Sequence, residues 1–533
     1  MTIMKIVLIH PYIRAIDKTF LSEPLGLVCL ATYARKIFEE RVRISILDLY
    51  AMGARNPVKK GDYYYLGVHD EAVIAKELAG FQPDLVGITC NFTAYVDDSF
   101  NVADIVRRYF PDVPIVMGGA HPTIEAAETL QRCSSVDYVA RGEGEIVFEN
   151  LIRCLLGEIP IESVNGLVYR KGGEIVFNPK MDLVKDINTL PIPDRKYIDQ
   201  RAYEYFNKKT VWYVRKQPVA TMMTSRGCPY RCVFCSTKVV WERNWRPRGL
   251  ELVFEEIEIL HKEYGFREIV INDDQFMLKK SRIHEFCDYF IKKNYDICFS
   301  VDAGISIWLV DTDLLKKMRK AGFYALRFPI ESGCRKTLEY IRKPVDLDKA
   351  NALIEEAAGL GFWTSSNIIV GFPHETREEV NESIRYVYDS VLDFTSFIIA
   401  KPQAGSEMYD DFKKENLLEK VVVHGSHFYH SDYDTLHLTA RELNDIIDDA
   451  SSKWFMHKAR FFYQTDQFLS LFPPENEEYR GLALLLRHFA SHVSAKSHTD
   501  VDFEDEIFYY LIIDACTSYS LPRDEDENRH RRP

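Results

Sequence analysis

Cys228, Cys232 and Cys235 stand in a C-x3-C-x2-C arrangement within the stretch TSRGCPYRCVFC. Three thiolates on one short loop can hold three irons of a 4Fe-4S cube and leave the fourth iron open to an exchangeable ligand. Zinc is the rival reading. Structural zinc usually takes four protein ligands, however, and no further CxxC or HxxxH pair nearby completes such a site. Cys29, Cys90, Cys133, Cys154, Cys287, Cys298, Cys334 and Cys516 are scattered through apolar or helical contexts, where cysteine behaves as a small buried hydrophobe.

The elements around this loop alternate in type. From Ala220 to about residue 415, β-type runs near 220–224, 268–272, 298–302, 325–330, 366–370 and 396–400 are separated by amphipathic stretches such as Leu250–Tyr264 and Thr312–Lys320. Six β/α units fit a partial (β/α)6 barrel of the TIM type, whose site lies at the carboxyl ends of the strands. The cysteines begin four residues after the first of these strands. The other strand ends carry Asp273 and Asp274, then Glu331 and Ser332, then Ile369, then Lys401 and Pro402. A carboxylate at Asp273 or Asp274 could cap the following helix.

The first 150 residues alternate in the same way, with β-type runs at Lys5–Ile9, Val42–Leu47, Asp84–Thr89, Pro114–Met117 and Tyr138–Val139. The pattern predicts an α/β domain, doubly wound and Rossmann-like, with a parallel sheet whose ligands lie beyond the carboxyl strand ends. Those ends carry His10, then Thr89 and Asn91, then Gly118, Gly119, His121, Pro122 and Thr123, then Glu143. The expected organisation is 1–150 for this domain, 151–215 for a connecting segment and 216–415 for the barrel. A mostly helical region follows over 416–520, and the charged tail 521–533 has the composition of a disordered end. Trp454, Phe455, Phe461, Phe462 and Tyr463 either line a pocket or form core.

The chain has 533 residues, 46% hydrophobic content and a formal net charge of −13. That balance argues against a general nucleic-acid binder, because neutralising phosphates needs an excess of Lys and Arg. No apolar run approaches the roughly 20 residues of a membrane span. The start MTIMKIVLIHPYIR lacks the pattern of a secretory signal, so a cytoplasmic location is expected.

The cysteine stretch resembles that of the radical S-adenosylmethionine (SAM) enzymes in its spacing, its leading Arg-Gly, the Pro after the first cysteine and Phe234. The resemblance implies SAM chelated to the open iron and cleaved to a 5′-deoxyadenosyl radical. It also implies SAM contacts from Phe234, Asp273, Asp274, Glu331, Ser332, Ile369, Lys401 and Pro402. With PLGL at 24–27, GGAHPT at 118–123 and RGEGE at 141–145, residues 1 to about 415 resemble the cobalamin-dependent members of that family. Cobalamin is then expected against His10, Thr89, Asn91, Gly118, Gly119, His121, Pro122, Thr123 and Glu143.

The D-x-H-x-x-G sequence that gives cobalt a histidine in methionine-synthase-like domains is absent, so no lower axial ligand is assigned. His10 and His121 can approach the cofactor or act as ordinary hydrogen-bonding histidines. The implied activity is methylation of an unactivated carbon of a small-molecule or natural-product substrate through methylcobalamin and the deoxyadenosyl radical. The alternative is a cyclase of the anaerobic Mg-protoporphyrin monomethyl ester type. An external one-electron reductant of the flavodoxin or ferredoxin type is implied in either case. A methylthio-transferase would carry a second cysteine trio, and Cys29, Cys90 and Cys133 lie far apart.

Overall fold

Near-continuous apolar runs such as MKIVLIH can be buried on both faces, which is what a parallel sheet covered by helices requires. The computed structural model describes residues 3–15, 21–61, 63–179, 183–207, 215–301, 303–420 and 429–464. The first unit contains β1 (Met4–His10), β2 (Ile13–Ala15), β3 (Val42–Asp48), β4 (Val58–Lys60), β5 (Tyr63–Leu66), β6 (Leu85–Thr89), β7 (Ile115–Gly118), β8 (Tyr138–Ala140), β9 (Leu167–Lys171) and β10 (Glu174–Phe177). Its main sheet has the order β10-β9-β8-β7-β6-β1-β3. The pairs from β3 to β8 are parallel, and β8-β9 and β9-β10 are antiparallel. Part of the stretch read as a connector therefore extends this sheet: β9 and β10 flank the tight turn at Gly172 and Gly173, both at positive φ. A small sheet, β2-β5-β4, stands apart.

The second unit adds β11 (Val219–Met222), β12 (Ser225–Arg226), β13 (Arg246–Pro247), β14 (Glu268–Ile271), β15 (Cys298–Val301), β16 (Phe323–Glu331), β17 (Trp363–Val370) and β18 (Phe394–Ile399). Six of these form one all-parallel sheet, β11-β14-β15-β16-β17-β18, as the six β/α units require. The ribbon β12-β13 closes the base of the cysteine segment. Helices Leu250–Lys262, Lys280–Lys293, Thr312–Lys320, Leu347–Gly359 and Arg377–Asp389 separate the parallel strands. Their starts are set locally: Asp311 and Asp346 cap with their side chains, and Thr376 with Glu379 forms a reciprocal capping box.

Helix and strand faces close a core rich in Phe276, Phe286, Phe290, Phe299 and Phe323. Each such ring contributes about 1.5–3 kcal/mol by leaving water. Helix Ala440–Gln464 packs on β18, and Trp454 stacks with Tyr388 at 5.7 Å between centroids. Trp454 is thus core. The side chains of Phe455, Phe461, Phe462 and Tyr463 and the tail 521–533 lie outside the described residues.

Candidate active site

The three cysteines lie between β12 and the short helix Thr237–Trp241, above the carboxyl end of β11. Gly227 makes the entry: its φ is +85°, and a Cβ there would sit 2.3 Å from the Asn244 carbonyl oxygen. The loop is anchored midway, where the Val233 N–H donates to Ile341 O and its carbonyl accepts from the Met408 N–H at 2.9 Å. A further turn bond, Cys235 N–H to Cys232 O at 3.2 Å, brings the last two cysteines round. All three thiols are partly buried and free of disulfides. Burial pushes Cys228 up to about 11, and the neighbouring Cys235 and Cys232 add to it. Burial also raises Cys232, against the pull of Lys343.

Cys228 and Cys232, raised by burial, need positive charge nearby to become thiolates, which a bound iron cube would supply. Among the described residues no three His, Cys, Asp or Glu side chains converge on a single point as a lone ion demands. Three free, partly buried thiols on one short loop suit a 4Fe-4S cluster with one iron left open.

The carboxylates predicted beside the cluster divide into two kinds. Asp273 is fully buried and accepts from Thr224 N–H, Thr224 Oγ1 and Ser225 Oγ, so its carboxylate is taken up in holding the strand-to-loop junction. Asp274 accepts from the Gly227 N–H at 3.1 Å and lines a cavity. Burial pushes it up to about 6. Glu331 has φ +69° and faces Lys343 Nζ at 3.2 Å. Lys343 also donates to Pro329 O and lies over the Trp308 ring, whose Nε1–H donates to Tyr230 Oη of the cysteine loop at 2.9 Å.

Other predicted contacts turn inward. Ser332 is fully buried, bonding Ser383 Oγ at 2.8 Å and accepting from the Cys334 N–H. A Cβ on Gly333 would meet Tyr386 at 2.3 Å. Two of the three residues in Glu-Ser-Gly thus serve packing, and Glu331 is the one beside the loop. Lys401 is buried, its ammonium donating to Asp432 at 2.8 Å, and Pro402 is buried beside it. Ile369 is buried near the end of β17. Phe234 packs 6.3 Å from Phe372, just past the Gly371 turn.

Glu375, missed in the sequence, holds that turn by accepting from the Gly371 and Phe372 N–H groups, and burial raises it to about 7. Its signal was a carboxylate four residues after a glycine at a strand end. Lys343 gave none, since its partner Glu331 lies on the far side of helix Arg335–Ile341 in the chain.

Between the two sheets lie adjoining cavities of about 440 Å³ and 430 Å³. Both are bordered by Leu25, Gly26, Leu27, Thr89, Asn91 and Met223. Nothing stands within 4 Å of where a Cβ of Gly26 would be, so the first turn of helix Leu25–Phe38 leaves room for a bulky ligand. Gly118 and Gly119 line the second cavity, and Gly119 makes the turn with φ +114°. His10 lines the first, its Nδ1 held 3.0 Å from Asp48, which also accepts from Tyr203 Oη.

His121, Pro122 and Thr123 are buried in the short helix Ala120–Ile124 and line neither cavity. Thr123 Oγ1 donates to Gly119 O and accepts from the Gly142 N–H, clipping two loops together. Glu143 borders the second cavity, but its carboxylate is taken up by Arg226, Arg246 and the Val184 N–H. The opposite wall of that cavity is Thr237, Val240, Trp241 and Asp274 from the barrel side. The glycine loops and the segment following the cysteines therefore share one space, and the residues present fit a cobalamin there.

A model of the radical SAM superfamily matches residues 222–387, and one of the B12 binding domain matches residues 19–152. The uncharacterised methyltransferase PH0819 of Pyrococcus horikoshii is 31% identical over 421 residues, covering 78% of this chain and 85% of that protein. The anaerobic magnesium-protoporphyrin IX monomethyl ester cyclase of Rubrivivax gelatinosus is 26% identical, covering 74% and 69%. Among solved structures, the radical SAM methyltransferase TsrM of Kitasatospora setae, with cobalamin and a [4Fe-4S] cluster bound, has a TM-score of 0.68 at 14% identity. That alignment covers 97% of this chain and 99% of the other, which supports the shared fold.

Proposed function

Because this chain belongs to the cobalamin-dependent radical SAM enzymes, we propose that it is a methyltransferase acting on an unactivated carbon of a small molecule. The observation that carries the reading is the shared wall: one cavity is bounded by Gly118 and Gly119 on one side and by Thr237, Trp241 and Asp274 on the other. A methyl donor and a radical source held across such a space need no diffusible intermediate, and orientation of this kind can supply much of a rate enhancement.

Cys228, Cys232 and Cys235 would hold the cluster, and the helix start at Leu25–Leu27 with the strand ends at Thr89–Asn91 and Gly118–Gly119 would hold the corrin. The bound cofactors supply one-electron chemistry and a transferable methyl group. The chain's own residues do the rest. Asp274 and Glu331 place carboxylates beside the cysteine loop, suited to an ammonium. Lys343 holds the Glu331 carboxylate in place through their 3.2 Å ion pair. Phe234, Phe372 and Ile369 offer an apolar surface that excludes water. A one-electron reductant of the flavodoxin or ferredoxin type completes the system as partner.

The test is anaerobic reconstitution with methyl-labelled SAM and no added substrate. Label appearing on protein-bound cobalamin, with S-adenosylhomocysteine released, supports the methyltransferase. Deoxyadenosine formed without any labelled cobalamin favours the cyclase reading.

A further inference from the structure

In the antiparallel register of β12 and β13, Arg226 stands directly opposite Arg246. Like charges facing one another across a ribbon are destabilising, and this ribbon forms the base of the segment that carries the cysteines. Both guanidinium groups lie 5.8 Å from the Trp241 ring and are largely withdrawn from water. Among the described residues their only ionic partners come from the first unit. Glu143 pairs with both arginines and Glu145 with Arg226 at 2.7 Å.

These carboxylates sit at the start of helix Gly144–Leu155, directly after β8, and they border the cavity of the glycine loops. Arg226 and Glu145 are both largely removed from water, so each depends on its charged partner across the two units. The Glu143–Glu145 segment thus supplies counter-charges that the two arginines do not give each other. Planar guanidinium forks also fix direction, where an ammonium would act as a point charge.

We propose that Arg226, Arg246, Glu143 and Glu145 form a quartet of positioning residues that registers the cysteine loop against the corrin cavity and so sets the separation of cluster and cobalt. The proposal concerns how two cofactor sites are held in register and stands whichever reaction follows.

The test uses the full-length protein with cluster and cobalamin reconstituted, and it needs no substrate. Relaxation of the cob(II)alamin electron-spin signal is measured with the cluster oxidised and then reduced, because a nearby reduced cluster accelerates that relaxation steeply with proximity. Glu145→Gln should retain both cofactors at full occupancy and lose most of the acceleration. Arg226→Lys, which keeps charge without the fork, should fall between Glu145→Gln and the unmodified protein. Acceleration unchanged in Glu145→Gln overturns the proposal. So does loss of either cofactor from that variant, since the quartet would then serve folding rather than register.

Discussion

Lys343 Nζ reaches Glu331 Oε1 at 3.2 Å, in a pair almost wholly removed from water, and Glu331 holds it from a backbone at φ +69°. A left-handed conformation at a non-glycine residue costs of order 1–3 kcal/mol. The pair keeps the Glu331 carboxylate at the edge of the cysteine loop.

Removing one partner should therefore be worse than removing both. Lys343→Met leaves a buried carboxylate without a counter-charge and should destabilise the barrel by about 3–5 kcal/mol. Adding Glu331→Gln to it should recover part of that loss. Denaturant midpoints of the four members of this cycle give the coupling, and a second change as costly as the first would show that the pair is not coupled.

Cluster content should depend on three of the cysteines. Cys228→Ala, Cys232→Ala and Cys235→Ala should each abolish SAM cleavage and lower bound iron after anaerobic reconstitution. Cys287→Ala should leave both intact, because Cys287 is buried in the barrel core among phenylalanines. Iron analysis with visible charge-transfer absorption measures the contrast.

Two glycines at similar φ should behave differently. Gly227→Ala combines φ +85° with a Cβ 2.3 Å from a backbone oxygen that cannot give way, so the cysteine loop should misfold and cluster loading fail. Gly265→Ala, at φ +75° with open space around it, should cost only about 1–2 kcal/mol and load normally.

A pH dependence follows from Glu268, which is fully buried at the start of β14 and accepts from the Arg215 and Lys216 N–H groups and from Tyr324 Oη. Burial raises it from 4.5 to about 7. A carboxyl that binds its proton more tightly when folded stabilises the fold fully below its unfolded value, and that stability is lost as pH rises through about 7. Across this window the loss is on the order of 3 kcal/mol. Glu268→Gln should flatten the stability curve between those limits, and an unchanged slope in denaturation series would reject the assignment.

Much of the fold was legible because parallel strands buried on both faces must be continuous apolar runs. The strands read near 268–272 and 298–302 appear at Glu268–Ile271 and Cys298–Val301. Less legible was the stretch after residue 150, where β9 and β10 are short and partly exposed and gain their order from pairing with β8. Within the candidate site, residue type and strand-end position singled out Asp273, Ser332, Lys401, His121 and Glu143. Position along the chain does not say which way a side chain points, and for these five it points to a protein partner.

The sequence by itself determined the cysteine spacing, the order of two alternating β/α units and the glycines that turn at strand ends, because each is a local constraint of bond geometry or periodicity. Only the tertiary structure decided which charges meet. Arg226 and Glu145 are 81 residues apart in the chain, and so is no local pattern's business to pair. Burial makes such pairing obligatory, since a charge out of water persists only beside its opposite, and which opposite is available depends on how the two sheets pack.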